Sequence, residues 1–347
     1  MIKRTLYFGN PAYLSTTNEQ LVVEFPMPKG VEEITKPKPT SAPIEDIGVV
    51  ILDHQQITIS QALMAKLLAN NTALITCDNT HHPTGLMLNL DGHTLQSQRF
   101  KDQLEASEPL KKQLWQQTVI AKIQNQAAVL GLQSISHNER TELSLFNTPD
   151  KLLINLSKEV KSGDSDNTEA IAAGYYWKHL FAGMLYETSP SPSERAGVRP
   201  FTRDRYGDPP NNLLNYGYAI LRAIVARSLV GSGLLPTLGI HHRNQYNAYC
   251  LADDIMEPYR PYVDKLVCEM ISNPNSNNVI VSSAERPAAL ELTPDIKKQL
   301  LAFPAMDVTI DDQSSPLMNA VQRTTASLAK CYEGKARKIL YPTLYTE

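Results

Sequence analysis

At 347 residues with 42% hydrophobic and 20% charged content, the chain suffices for one large or two ordinary domains, and its composition is globular rather than disordered or fibrous. A formal net charge of −3 counts mildly against a protein that binds nucleic acid over its whole surface, while leaving room for a local basic patch. The four cysteines, Cys77, Cys250, Cys268 and Cys331, form no CxxC, which argues against a disulfide framework or zinc knuckle and fits a reducing, cytoplasmic setting.

The opening "MIKRTLYFGNPAYLS" carries no apolar run, so no signal peptide is expected. From there to about residue 95 the chain reads as β-rich and sandwich-like. Short runs of Val, Ile, Tyr and Thr ("RTLYFGN", "AYLSTTNEQLVVEF", "IGVVILDHQQITIS") are divided by turn residues. One short helix interrupts at "ISQALMAKLLANN", with Asn70 or Asn71 as its stop, and "TALITCD" reads as a further buried strand. His81 and His82 could approach a phosphate, but a plain turn before Pro83 is the favoured reading.

From about residue 98 the spacing predicts helix nearly to the end, giving an α+β chain with an N-terminal β-rich domain (1–95) and a larger all-α domain (96–347). In "EPLKKQLWQQTVIAKIQNQAAVLGL", Trp115, Val119, Ile123, Ala127 and Leu130 make one apolar face, Lys111, Gln116, Lys122 and Gln126 lie opposite, and Gly131 is a natural stop. A helix follows over about 168–183. Then "SPSPSERAGVRPFTRDRYGDPPNN" is too irregular for an element and too long for an ordinary connection, which marks a functional or disordered loop. An apolar, central helix spans 213–230; its Arg222 and Arg227 argue against a membrane span. Thr293-Pro294 and Ser315-Pro316 each read as an N-cap followed by proline at the first helical position.

The chemistry-bearing stretch is "LGIHHRNQYNAYCLADDIMEPYRPYVD". Asp253 and Asp254 stand four and three residues before Glu257, on one helical face. Pro258 disfavours helical geometry at Glu257, so the helix should end or kink there. On one unbroken helix His242 and Glu257 would be about 22 Å apart. If the helix begins near Asn247, it is roughly 15 Å long, and five extended residues, Arg243 to Asn247, reach about 17 Å back along it. His242 can then lie beside Glu257. The plain alternative is a solvated acidic face, with Asp254 paired to Arg260 and Glu257 to Arg260 or Lys265. Likewise Glu169, three residues after Asp166 at a helix start, reads by itself as part of a capping box.

Residues 214–264 resemble the core of the CRISPR-associated spacer integrase, the larger of two universal adaptation proteins, in the form found in systems with a single large RNA-guided effector nuclease. The family pattern is glycine, two residues, histidine, then an acidic helix ending D-x-M-E-P-F/Y-R-P-x-V-D. Here it falls on Gly239, His242, Asp254, Glu257, Pro258, Arg260, Pro261 and Asp264. "IKRTLYFGNPAYL", "DHQQITIS", "ITCDNTHHPTGLML" and "PPNNLLNYGYAIL" carry the likeness over nearly the whole chain. A second pattern, E-x-x-A-A-R-x-Y-F-x-x-L-F, matches "EAIAAGYYWKHLF" at Glu169, Ala172, Ala173, Tyr176, Leu180 and Phe181, with Gly174 in place of the arginine and Trp177 in place of the first phenylalanine. The glycine spacing selects His242 over His241.

The resemblance implies Glu169, His242 and Glu257 as catalytic ligands of Mg²⁺ or Mn²⁺, with Asp254 orienting His242 or a bound water. It implies insertion of captured spacer DNA into a CRISPR repeat by attack of a 3′-hydroxyl, and cutting of branched DNA at the same site. Implied partners are double-stranded DNA, a second copy through the β-rich domain, and a small second adaptation protein that bridges two such dimers into a heterohexamer; no membrane is involved. Phosphate contacts are expected from Arg195, Arg199, Arg203, Arg205 and Arg243. Two rival readings are a stand-alone structure-specific repair nuclease and a catalytically silent DNA-binding assembly subunit.

Overall fold

The computed structural model describes residues 3–26, 39–136, 148–182, 201–204, 209–272 and 292–344. The β-rich start forms strands β1 (Arg4–Phe8), β2 (Ala12–Thr17), β3 (Gln20–Glu24), β4 (Thr40–Pro43), β5 (Ile47–Leu52), β6 (Ile57–Ile59), β7 (Ala73–Cys77) and β8 (Pro83–Met87), with helix α1 (Gln61–Ala69) between β6 and β7. Ser60 caps α1 by accepting from the Leu63 N–H at 3.3 Å, and Asn71 leaves the helix with a left-handed φ of 54°.

Two four-stranded sheets result. One has the order β1-β5-β7-β8, parallel except at β8. The other runs β4-β3-β2-β6, antiparallel except for the β2–β6 pair. Strand periodicity of two sends Val50 and Leu74 into a small core with Leu14, Leu21, Leu63 and Leu67, while Val49, Ile51, Ala73 and Ile75 face the other way into the helical core; Ile47 joins the small core because the β1–β5 register shifts by one residue at Gly48. The parallel strands are covered on both faces, which is why β5 reads as an unbroken apolar run. Asp53, just past β5, ties this sheet to the helices: it accepts from Tyr7 Oη at 2.6 Å and Lys297 Nζ at 2.7 Å. His81, in the expected turn, contacts the other Asp53 oxygen at 2.9 Å.

The helical part comprises α2 (Gln96–Leu104), α3 (Glu108–Ser136), α4 (Pro149–Glu159), α5 (Thr168–Leu180), α6 (Asn211–Gly231), α7 (Cys250–Met256), α8 (Arg260–Ser272), α9 (Pro294–Leu300) and α10 (Leu317–Tyr332). α6 is central, buried along most of its length. It is long and apolar enough to pass for a membrane span, yet 78% of that window is packed inside the fold, and Arg227 donates to the Asn71 carbonyl. The four cysteines are free.

Several expectations need correction. The region after residue 98 is not helix throughout: β9 (Asp307–Ile310), β10 (Gln313–Pro316) and β11 (Pro342–Thr343) form a third sheet, in the order β10-β9-β11. Ser315 therefore lies in a strand and caps nothing, whereas Thr293 does cap α9, accepting from Ile296 N–H at 3.3 Å. α3 runs through Gly131 to Ser136. Its predicted apolar face is buried as read, but Lys122 and Gln126 do not lie opposite it: at about 100° per residue they fall within about 20° of Trp115 on the same face, and they are 8% and 3% exposed. The helix packs on several sides, against α4 and α5 and against the turn that follows α7.

Candidate metal and nucleic-acid site

Lys122 reaches the site from α3 and holds two carboxylates that are distant in sequence. Its ammonium donates to Glu169 Oε1, in the first turn of α5, and stands 2.6 Å from Glu257 Oε2, just after α7. Glu257 Oε1 pairs with Arg260 at 2.9 Å, and the Arg260 guanidinium lies over the Tyr218 ring, 4.7 Å from its centroid. Burial would push the Glu257 carboxyl up, but Arg260, Lys122 and His242 together hold it at about 2. Burial likewise opposes the Lys122 charge, and Glu257 and Glu169 outweigh it, so the amine stays above its ordinary value.

The break expected at Pro258 takes a milder form. Glu257 keeps helical angles (φ −52°, ψ −46°), and the chain tightens into a single 3₁₀ turn, Glu257–Tyr259, before α8. Asn125 of α3 pins that turn by donating to the Pro258 carbonyl at 2.8 Å.

His242 lies in a non-helical segment that folds back on α7. The helix starts at Cys250, three residues later than Asn247; Asn247 instead accepts from Tyr249 N–H and donates to Asp253 Oδ2 at 2.7 Å. Asp253 is held in turn by Arg222 at 2.6 Å. The buried Asp254 carboxylate accepts from the backbone N–H groups of Ile240 (2.6 Å), His241 (2.9 Å) and His242 (3.2 Å), and contacts His242 Nδ1 at 2.5 Å. Only glycine permits this wrap. A Cβ on Gly239 would lie 2.3 Å from the His242 carbonyl oxygen and 2.9 Å from Asp254 Oδ2. The Asp254 contact raises the His242 pKa above the ordinary 6.5; burial opposes it, and the charges of Asp254, Glu257 and Asp253 assist. His241 stacks flat on Trp115, with ring centroids 4.2 Å apart.

The structure thus brings Glu169 and Glu257 to one ammonium, and the charges of His242 and Glu257 act on each other. Among the described residues no His, Cys, Asp and Glu side chains form a ready-made cluster of three or more ligands; His242 is turned to Asp254, and Lys122 sits between the glutamates. The donor set fits a hard divalent cation in kind: two carboxylates and one imidazole. Glu257 Oε2 fits it more specifically, lying in a buried side chain and already drawn to a cation, the Lys122 ammonium 2.6 Å away.

Glu169 does not cap its own helix. Asp164 does, accepting from Thr168 N–H at 2.9 Å and Glu169 N–H at 3.1 Å, while Asp166 pairs outward with Lys161 at 2.7 Å. Gly174 faces open space, so nothing in the packing demands glycine there. Arg203 is committed to Asn211 and Asn215 at 3.0 and 2.5 Å and lies over Tyr218. Arg243 is exposed and paired with Glu108 at 2.8 Å. Arg195, Arg199 and Arg205 lie outside the described residues. Lys122 was missed in the sequence. It stands seven residues after Trp115 and three after Val119, at the margin of the buried stripe, and that spacing was the available signal.

The comparisons with known proteins agree in one direction. A family model described as CRISPR associated protein Cas1 matches residues 6–303. The CRISPR-associated endonuclease Cas1 of Neisseria meningitidis serogroup C (strain 8013) is 32% identical over 345 residues, 99% of this chain and 97% of that one. A solved casposase bound to integration product superimposes with a TM-score of 0.71 at 20% identity, over 98% of this chain and 92% of that chain. A chain of a Cas6-RT-Cas1–Cas2 complex does so with a TM-score of 0.65 at 19% identity, over 97% of this chain and 35% of that one. At these identities the structural matches show a shared fold, and the full-length sequence match carries the rest: the chain belongs to the Cas1 family of CRISPR-associated proteins.

Proposed function

We propose that this chain is a divalent-metal-dependent DNA endonuclease and integrase that inserts new spacer DNA at the border of a CRISPR repeat. The observation that carries the reading is the meeting of Glu169 and Glu257 on one cation, with His242 alongside. The name of the Neisseria relative, an endonuclease, and the casposase seen with its integration product support the reaction class. The Cas1–Cas2 complex supports a small second adaptation protein as partner. A division near residue 95, dimerisation through the β-rich part, a bridged heterohexamer and the single-effector type of system belong to the same proposal.

Glu169 and Glu257 would hold Mg²⁺ or Mn²⁺ through carboxylate oxygens, and His242 through Nε2, since Asp254 engages Nδ1. The ion, when bound, supplies Lewis-acid polarisation of the phosphodiester. Arg260 holds Glu257 by Oε1 and so leaves Oε2 for the ion. The attacking group is the 3′-hydroxyl of the captured DNA: its oxygen forms the new ester to phosphorus, the repeat strand's 3′-oxygen leaves as a hydroxyl, and the number of phosphodiesters is conserved. No protein nucleophile is needed. Arg243, exposed beside the His242 loop, is better placed for a backbone phosphate than Arg203, whose guanidinium is already engaged.

The test is integration into a supercoiled array plasmid with the partner protein and Mn²⁺ or Mg²⁺. Repeat-border insertion by the wild type and its loss in Glu257→Ala, Glu169→Ala and His242→Ala are expected. Insertion that survives all three substitutions would point to a silent assembly subunit. Cutting of branched DNA without the partner and without border preference would point to a repair nuclease.

A further inference from the structure

We propose that Lys122 is a built-in counter-cation: its ammonium holds Glu169 and Glu257 together until a divalent ion takes its place, and it then moves to the side-chain carbonyl of Gln126. The inference rests on the metal reading above and deepens it.

Three observations carry it. First, the ammonium touches the carboxylates of both proposed ligands, so a divalent ion that needs those oxygens competes with it for the same position. Second, the pair cannot simply be left without a cation. Two carboxylates drawn to one point repel, and Glu257 is buried while the Glu169 side chain is 28% exposed, so removing the ammonium would leave charge uncompensated chiefly at Glu257. A resident ammonium answers that in the metal-free protein without filling the site permanently. Third, an acceptor waits one helical turn along α3. Gln126 is 3% exposed, and its Oε1 is buried without a hydrogen-bond partner. Residues four apart on a helix are neighbours, so the flexible lysine stem can carry its ammonium from the glutamates to that carbonyl. The move satisfies an atom that the metal-free arrangement leaves orphaned. Arg260 stays on Glu257 Oε1 throughout, so the carboxylate keeps its orientation while the cation at Oε2 changes.

A purely structural lysine and a displaceable one make opposite predictions for metal affinity. If Lys122 only braces the site, removing it loosens the ligands and weakens metal binding. If it competes, removing it tightens binding. If the amine is out of the way in roughly one molecule in ten, the upper end of ordinary minor-state populations, its removal tightens apparent affinity about tenfold.

The experiment is titration of the purified full-length chain with Mn²⁺ alone, read by calorimetry and by the electron paramagnetic resonance of free Mn²⁺. Lys122→Met should bind Mn²⁺ about tenfold more tightly than wild type, and its melting temperature should be lower without metal and rise further with it. Gln126→Leu should weaken Mn²⁺ binding when Lys122 is present and leave it unchanged in the Lys122→Met background. Should Lys122→Met fail to fold, the wild type decides: the lysine side-chain ammonium resonances, recorded with ¹⁵N-lysine and assigned with Lys122→Arg, should show Lys122 shifting as Mg²⁺ is added. A wild type that binds Mn²⁺ while Lys122→Met binds no more tightly, or a Lys122 resonance unmoved by saturating Mg²⁺, overturns the proposal and leaves the metal reading standing. If no variant binds Mn²⁺, and Glu257→Gln behaves as wild type, the metal reading falls and the proposal falls with it.

Discussion

Gly239→Ala tests the architecture of the histidine loop at its tightest point. The added methyl would sit 2.3 Å from the His242 carbonyl oxygen, whereas ordinary contact begins at 3.4 Å, so that oxygen must retreat by roughly 1 Å. It belongs to the backbone and cannot swing aside as a side chain would. Its retreat drags the His241 and His242 N–H groups, now 2.9 and 3.2 Å from Asp254, beyond hydrogen-bond range. Overpacking of this kind costs about 1–3 kcal/mol, and each lost hydrogen bond about 1 kcal/mol more. The expected loss is therefore roughly 3–5 kcal/mol in urea denaturation, with His242 released from Asp254 and its NMR-measured pKa falling toward 6.5. A variant within about 0.5 kcal/mol of wild type, the spread of ordinary surface substitutions, with an unchanged His242 titration, would refute the reasoning.

Three further outcomes follow from the same contacts. Asp254→Asn should lower the His242 pKa: the contact between the protonated ring and Asp254 contributes stability that is complete below 6.5 and disappears as pH rises through the folded value, so the variant should lose most stability on the acid side. Stability that drops equally at all pH values would contradict this. Asp264 is raised to about 7, chiefly by burial, against the Tyr218 and Tyr176 hydroxyls that donate to it. Between about pH 4 and 7 the folded chain holds this proton and the unfolded chain does not, so stability should fall as pH rises, by at most about 1.4 kcal/mol per unit; Asp264→Asn should flatten that slope, and an unaltered slope would rule it out. Asn125→Ala removes donors to the Pro258 and Pro342 carbonyls and an acceptor for Leu344 N–H, and should cost roughly 2–3 kcal/mol in thermal or urea unfolding; no measurable change would show that the turn after Glu257 is held by other contacts.

Much of the molecule was legible from local pattern. The β-rich start, the α1 stop at Asn70 and Asn71, the Thr293 cap and the break between His242 and α7 all follow from short-range rules. What escaped was mostly long-range. Lys122 and Gln126 are an exception: read as opposite the apolar stripe, they fall within about 20° of Trp115 on it, so their burial was a local signal passed over. β9 alternates apolar and polar residues and turns into β10 through Asp311 and Asp312, both at left-handed φ, a local hairpin signal that was also passed over; β11 is two residues long and pairs with β9 across α10, which no local window signals. Asp164 displaced Asp166 as the cap of α5 because Gly163 and Asp164 take left-handed φ values of 70° and 53° that reshape the entry to the helix. Glu169 and His242 are named as ligands by the family pattern alone, and the meeting of Glu169 with Glu257 on Lys122 depends on packing between α3, α5 and the turn after α7 that no such pattern contains.

The central claim is that Glu169, His242 and Glu257 hold one divalent ion. Anomalous diffraction from crystals of the full-length chain grown with Mn²⁺ tests it most directly. The account predicts a single peak per chain at bonding distance from an oxygen of Glu169, an oxygen of Glu257 and Nε2 of His242, with Lys122 moved off the glutamates. A peak elsewhere, or Mn²⁺-saturated crystals in which Lys122 still bridges Glu169 and Glu257, would contradict it.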